Sequence, residues 1–384
     1  MPRRRVYLDY NATAPVRPEV RAAVEPLLFG DAGDGAFGNP SSVHWAGQAA
    51  RKRLEQARSR LAAHVGAKPS DVIFTSGGSE ADNLALIGNL LHPAVEPKRL
   101  LVSAVEHPAV LAAAEELRRA GVDVRSIRVE PSGALDLDHF EVLLREPTAL
   151  VAVMSTNNET GIEHDIDAVI ALAHDRGARV FVDAVQSVGK RPWPSGADLV
   201  ACSGHKLGGL KGAGVLVRAS DVPLRASVVG GPQERGLRAG TEDVPAIVAL
   251  VEATLIADAR RAEENERLRR LSRSLESVID AQAGARVVGR DVARAPNTVT
   301  AVFDDVDGDV LLQALDLEGI AASSGSACSS GSLEPSHVLA ALGFPSHTAL
   351  AAIRFSTGWA SCEADVEAVR EVLPTVLARA RAAS

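Results

Sequence analysis

Two neighbouring stretches decide how this chain folds: Val180-Phe181-Val182-Asp183-Ala184-Val185-Gln186 and, shortly after, Leu199-Val200-Ala201-Cys202-Ser203-Gly204-His205-Lys206. Each opens as a short apolar run and ends in a group that can do chemistry, a carboxylate in the first and a lysine in the second. Such runs read as β-strands, and the pattern spreads outward from them. Val72-Ile73-Phe74, Leu100-Leu101-Val102, Leu150 to Met154 and Val215-Leu216-Val217 are further strand candidates, while Pro108 to Arg119 and Ile166 to Arg176 carry helical spacing. Strand–helix alternation from about residue 70 to 220 predicts an α/β fold with a mainly parallel sheet. Ligands of such sheets sit at the carboxyl ends of the strands. Past Thr241–Asp243 the character changes. Val244 to Ala281 reads as one long, charged, solvated bridging helix. Strand candidates Thr298 to Phe303 and Ile353-Arg354-Phe355, with helices near Val310–Leu317 and Glu363–Ala378, then predict a smaller α+β domain.

The 384 residues, 46% hydrophobic and 23% charged, suffice for about two domains. A formal charge of −8 argues against a protein that binds nucleic acid by neutralising phosphates, and Arg3-Arg4-Arg5 is the only compact basic run. Three scattered cysteines, Cys202, Cys328 and Cys362, make neither a disulfide framework nor a zinc site. No apolar run approaches the ~18 residues of a membrane span, and Val6-Tyr7-Leu8-Asp9 follows the arginines where a secretory signal would need a long apolar run. The expectation is a cytoplasmic protein with no direct nucleic-acid or membrane partner.

Lys206 follows a strand end in a glycine-rich loop, where a lysine of lowered proton affinity can form a Schiff base with a carbonyl compound; an ordinary surface lysine is the plain alternative. Asp183 tips the balance. A carboxylate ending a buried strand needs a cation or donor, and the pyridinium nitrogen of pyridoxal phosphate (PLP) is such a donor. Thr75-Ser76-Gly77-Gly78-Ser79-Glu80 follows a strand and opens a helix, so its N–H groups and serine hydroxyl suit a phosphate. Ser79 to Asp82 also reads as a capping box, and both readings stay open. Glu106-His107-Pro108 places an imidazole after another strand, where it could stack on a flat ring and move protons. Ser323-Ser324-Gly325-Ser326-Ala327-Cys328-Ser329-Ser330-Gly331-Ser332 is almost all small residues, which predicts a mobile loop whose cysteine is available for chemistry. Cys202 reads as a core filler and Cys362 as structural.

These residues resemble the cysteine desulfurases of the NifS/IscS type, PLP enzymes of fold type I. The resemblance runs nearly end to end, through Tyr7 to Thr13, Phe37 to His44, Ser76 to Asn83, Glu106 to Pro108, Asn157 to Gly161, Asp183 to Ser187, Ser203 to Lys206, Arg235 to Thr241, Ser323 to Cys328, Leu333 to Ser336 and Ile353 to Ser356. It implies a PLP-binding large domain of 16–250 with a mainly parallel seven-stranded sheet. Residues 1–15 and 251–384 would form the small domain that carries the cysteine loop, about 323–333.

By that resemblance Lys206 is the Schiff-base lysine, Asp183 the partner of the pyridine nitrogen, His107 the stacking and proton-transfer group, and Gln186 the partner of the ring hydroxyl. Gly78, Ser79, Ser203 and His205 hold the phosphate, joined by Thr241 from the second subunit of a homodimer. Asn11, Asn158 and Arg354 bind the substrate, Arg354 gripping its carboxylate, with Asn158 also beside the cofactor. Cys328 accepts sulfur from L-cysteine, leaving L-alanine, and passes it to an acceptor such as an iron–sulfur scaffold or a tRNA thiolation enzyme. No metal site is implied beyond a transient Fe–S ligand role for Cys328. Leu210 stands where relatives carry proline, Pro232 where glycine is common, and Ser79 where threonine is usual. A selenocysteine or cystine lyase that forms no protein persulfide, and a non-catalytic scaffold, are the alternatives; the cysteine loop speaks against the first, and Lys206, Asp183, His107, Cys328 and Arg354 together against the second.

Overall fold

The computed structural model describes residues 4–30, 37–324 and 335–383. Cys328 and the rest of 325–334 lie outside the described residues.

In chain order, β1 (Val6–Tyr7) precedes helices α1 (Pro18–Phe29) and α2 (Trp45–Val65). There follow β2 (Val72–Thr75), α3 (Gly78–Leu90), β3 (Arg99–Ser103), α4 (Pro108–Arg119), β4 (Asp123–Ile127), α5 (Leu137–Leu143), β5 (Leu150–Met154), α6 (Ile166–Asp175), β6 (Arg179–Asp183), β7 (Leu199–Ser203) and β8 (Gly214–Arg218). Strands β2 to β8 make a seven-stranded sheet in the order β2-β8-β7-β6-β5-β3-β4. It is parallel except at β8, which runs antiparallel to both β2 and β7. Side-chain alternation distributes its residues to two cores. Val151, Val153, Val180, Val182, Val200 and Cys202 face α1, α2, α6 and a later helix, α7 (Val244–Ala259). Leu150, Ala152, Phe181, Leu199 and Ala201 face α3 and α4. Both faces being covered, the strands read as continuous apolar runs.

The stretch Val244 to Ala281 is two helices, α7 (Val244–Ala259) and α8 (Arg261–Asp280), which meet at Arg260. This corrects the expectation of one solvated helix. Helix α7 is buried in the core of the large sheet, while α8 carries the charges on one side and lays Leu268, Leu271, Leu275 and Ile279 into a third core. That core also holds Val6 and Leu8. The chain goes on through β9 (Ala285–Val287), β10 (Thr298–Phe303), α9 (Gly308–Leu317), β11 (Ile320–Ala321), β12 (Ser323–Ser324), α10 (His337–Ala341), α11 (Ser346–Leu350), β13 (Ala352–Ser356) and α12 (Glu363–Ala383), in which β12-β13-β10-β9 form an antiparallel sheet and β1 pairs with β11. Of these, β10, α9, β13 and α12 pack into this third core, and α10 and α11 into a fourth with Val105, Ile162, Val288 and Val302. Among the described residues no helix is long and apolar enough to cross a membrane.

The turn Gln233–Gly236 holds Glu234 and Arg235 at φ 44° and 59°, left-handed values that cost a residue with a Cβ. A buried clamp over-determines it. Arg58 of α2 grips Glu234 through two hydrogen bonds of 2.8 and 2.7 Å, and Glu234 also accepts from the Phe74 amide at 2.8 Å. Pro232, at φ −82°, caps this turn in a conformation its ring prefers. Glu234→Ala should destabilise the protein by about 3–5 kcal/mol in urea unfolding, because it leaves the buried Arg58 guanidinium with only the half-exposed Glu55 as counter-charge. A loss under about 1 kcal/mol would show that the clamp does not hold the turn.

Candidate active site

The carboxyl ends of β2, β3, β5, β6 and β7 share one edge of the sheet, and a cavity of about 340 Å³ opens there. Asn11, Gly78, Ser79, His107, Asn158, Asp183, Gln186, Ser203, His205, Lys206 and Arg354 line it together with Asp82 and Met154. Of the site residues expected from sequence, Thr241 is exposed and outside this cavity, and Cys328 is outside the described residues.

Helix α3 starts at Gly78, where a Cβ would come within 2.9 Å of Val185, so only glycine lets the helix start sit so close to β6 and β7. The capping-box reading of Ser79 and Asp82 is corrected here: the N-cap is Gly77, and Glu80 is the residue that reaches back, accepting from the Ser76 amide at 2.8 Å. Glu80 is held in turn by Arg238 at 3.0 Å. Beside this helix start, the Ser203 hydroxyl is buried with no hydrogen-bond partner. Its neighbour His205 touches the Thr13 hydroxyl at 3.1 Å and is pushed down to about 4 by burial and by the Lys206 and Lys211 charges. A neutral imidazole, an orphaned hydroxyl and a bare helix start are what an anionic group would find.

Asp183, the last residue of β6, accepts from the Val185 amide at 2.9 Å. Burial raises its carboxyl to about 6, while the Val185 N–H and the Lys206 charge oppose the rise. Asp82 and Glu106 lie close by, both held well above the ordinary carboxylate range by burial and by Asp183. Asp82 keeps a buried oxygen without a partner, and Glu106 accepts from the Met154 amide at 2.6 Å. Burial and mutual repulsion thus disfavour charge on Asp82 and Glu106, and of the three carboxyls Asp183 is the one that the Lys206 charge and the Val185 N–H help to ionise.

Lys206 ends a short 3-10 turn after β7, and its Nζ donates to the carbonyls of Asn11 at 2.6 Å and Ala12 at 2.8 Å. His107 is the N-cap of α4. Its Nδ1 accepts from the Ala109 amide at 3.1 Å, so the ring proton sits on Nε2. Burial first, then Lys206 and His337, push it down to about 4.

Arg354 of β13 is 1% exposed, donates to the Asn158 carbonyl at 2.9 Å and pairs with Asp9 at 2.7 Å; its Nε has no partner. Asn11 is a hub: its side chain bonds the Asn158 carbonyl, Thr298 and Asn297, and its own carbonyl receives Gln186 and Lys206. Sequence reasoning missed Asp9, Asp82, Asn297 and Thr298. Asp9 and Asp82 stood inside quoted motifs, and that was their only signal.

The residues present fit PLP. A helix start with the orphaned Ser203 hydroxyl suits its phosphate, Asp183 a ring-nitrogen proton, Lys206 its aldehyde, and the neutral His107 ring offers a flat face.

A family model described as aminotransferase class-V matches residues 6–369. The cysteine desulfurase of Trichormus azollae is 42% identical over 383 residues, which span 99% of this chain and 94% of the relative. A solved NifS-like protein from Rickettsia africae superposes with a TM-score of 0.87 at 29% identity, over 97% of this chain and 99% of its own. A structure described as SspA in complex with cysteine superposes with a TM-score of 0.78 at 30% identity, over 91% and 98%.

Proposed function

Since the chain belongs to the class-V aminotransferase family, we propose that its cavity binds PLP and removes sulfur from L-cysteine. It is a PLP-dependent cysteine desulfurase that converts L-cysteine to L-alanine and transfers the sulfur to an enzyme cysteine. The observation that carries this reading is the convergence of Lys206, Asp183, His107, Ser203 and Arg354, from five separate elements, on one cavity.

When bound, PLP supplies the carbonyl that condenses with amines and a ring that takes up electrons from the substrate carbon. The protein does the rest. Gly78, Ser79, Ser203 and His205 would hold the phosphate, and an ionised Asp183 would keep the ring nitrogen protonated. Gln186 would partner the ring hydroxyl, and Asn158 the cofactor and substrate. Asn11 and Arg354 hold the substrate, with the Arg354 guanidinium on its carboxylate. Lys206 Nζ would take the proton from the substrate Cα, and His107 Nε2 would hand a proton on. The Cys328 thiolate attacks the substrate sulfur. A new S–S bond would form and the C–S bond break with its electron pair left on Cβ; protonation of Cβ and return of a proton to Cα would then give alanine, beside a Cys328 persulfide.

Thr241 belongs to the phosphate site of a second copy in a homodimer. Exposed Phe37, Val43, Trp45 and Val229 supply apolar surface for such an interface. The large domain spans 16–250, and the small domain is 1–15 with 251–384. The persulfide serves an acceptor protein of Fe–S assembly or tRNA thiolation in the cytoplasm, a reducing compartment suited to a chain whose cysteines are too sparse to be paired.

Purified holoprotein incubated with L-cysteine and a thiol reductant should yield L-alanine and sulfide in equal amounts. Pyruvate and ammonia in place of alanine would overturn the assignment.

A further inference from the structure

The turn that follows Lys206 is fastened to helix α8 through a side chain the mechanism does not use, Arg17. Residues 11–17 lie along this turn. Lys206 Nζ donates to the Asn11 and Ala12 carbonyls, the Ala14 amide donates to the His205 carbonyl at 2.9 Å, and the Arg17 amide donates to the Gly208 carbonyl at 2.9 Å. The Arg17 side chain, only 5% exposed, crosses the same turn, and its Nε donates to the Leu207 carbonyl at 3.0 Å. Gly208 sits at φ 88°, and a Cβ there would come within 2.6 Å of Arg17 Cγ, so turn and side chain are shaped to each other. The rest of the guanidinium reaches α8, where Nη1 and Nη2 donate to the two Glu264 oxygens at 2.6 and 2.8 Å. A planar fork meets a carboxylate in this way, and the pairing spares Arg17 the cost of a lone buried charge. One turn further along α8, Arg267 donates to the Gly358 and Trp359 carbonyls at 3.0 and 3.1 Å. Trp359 Nε1 donates to the Pro15 carbonyl at 2.9 Å, and its ring lies 5.9 Å from the Arg17 guanidinium. Helix α8 thus grips residues 15–17 twice. With Leu210 in place of proline, the loop after Lys206 has no ring to fix it, and Arg17 bonds two of its carbonyls.

We propose that Arg17 is a positioning residue which, held by Glu264, fixes the Leu207–Gly208 turn and so sets where the Lys206 amine meets the cofactor aldehyde. The inference rests on the PLP reading and deepens it. Arg17 does not line the cavity of about 340 Å³, so it acts through the main chain next to Lys206. In capture of PLP the amine adds to the aldehyde carbon, a C=N bond forms, and the aldehyde oxygen leaves as water, with no change of oxidation state. That step depends on where Nζ stands, and a displacement of about 1 Å in a reacting group costs up to ~10²-fold in rate. The substrate carboxylate is gripped elsewhere, by Arg354.

The test strips PLP from the full-length protein and follows by absorbance the rate at which added PLP is captured covalently, with kcat, KM and a thermal melt on the same preparations. Arg17→Met removes the side-chain bonds to Leu207 and Glu264 and keeps much of the length. Where it folds poorly, Arg17→Met combined with Glu264→Met removes the stranded carboxylate as well. Well below its melting temperature, either protein should capture PLP roughly 10–100-fold more slowly and lose kcat by a like factor, with KM for L-cysteine within about twofold of wild type. Arg17→Lys keeps a charge for Glu264 but has no fork to reach Leu207 at the same time, so its capture should stay slow. Wild-type capture in the folded methionine variants, a loss confined to temperatures where they melt, or full recovery in Arg17→Lys overturns the positioning role. Wild-type protein that captures no PLP overturns instead the reading on which the inference rests.

Discussion

Lys206→Ala should lower turnover of L-cysteine by roughly 10⁴-fold or more and remove the absorbance of covalently held PLP, while the protein stays folded. The size of the loss follows from one nitrogen serving two purposes. Lys206 Nζ is the group that condenses with the aldehyde, and after its displacement it is the base that moves the Cα proton. A positioned acid–base group alone contributes ~10²–10⁴-fold. No other amine is placed to substitute, since Lys190 points its Nζ at the Gln186 carbonyl on the far side of the Gln186–Asn11 connection. The fold survives because truncation removes the bonds to the Asn11 carbonyl, which keeps its Gln186 donor, and to the Ala12 carbonyl, next to a cavity that water can enter, at a cost of about 1 kcal/mol. Absorbance, alanine release and a thermal melt on one preparation check all three statements. A variant that kept both the band and activity would sink the enzyme reading.

The large sheet was legible because of where it lies. Strands β5, β6 and β7 are covered on both faces, so the positions between their polar ends are apolar and the runs Leu150 to Met154 and Val180 to Val182 stand out from their surroundings. Strand β4 escaped notice for the opposite reason. It is the sheet edge, and only Val124 and Ile127 of its five residues are buried while Arg125 and Ser126 face water. The break between α7 and α8 has no glycine or proline to announce it. Arg260 simply leaves helical geometry at φ −97°, ψ 2°, a change set by which core each helix packs into. At the site, the residues that carry chemistry sat beside recognisable strand ends, and the structure gathers them in one cavity. Their supports did not announce themselves. Arg354 meets Asp9, and Arg58 meets Glu234, across separations that no local pattern encodes. Asp82 looked like a helix cap because its spacing from Ser79 fits one; its burial beside Asp183 is a tertiary fact.

Cys328→Ala should keep PLP bound and still take up L-cysteine, yet lose sulfide release by more than about 10²-fold, with no persulfide on the protein. The argument runs by elimination among three thiols. Cys202 is fully buried in β7 and pushed up to about 12 by burial, so it supplies no thiolate and has no path to a substrate. Cys362 is exposed, but it lies at the start of α12, its Sγ accepting from Arg4 at 3.2 Å and its amide bonded to Asp365, and it does not line the cavity. Cys328 alone stands in a run of small residues that follows β12, the strand paired with Arg354. Because C–S cleavage needs an acceptor for the sulfur, alanine formation should fall together with sulfide. Lys206, Arg354 and Asp183 are untouched, so spectral changes on adding L-cysteine should persist. Cys362→Ala should retain wild-type rates. Mass spectrometry after a brief incubation with L-cysteine should find one added sulfur on wild type and none on Cys328→Ala. Full desulfuration by that variant would reassign the enzyme as a lyase that releases sulfur without a protein persulfide.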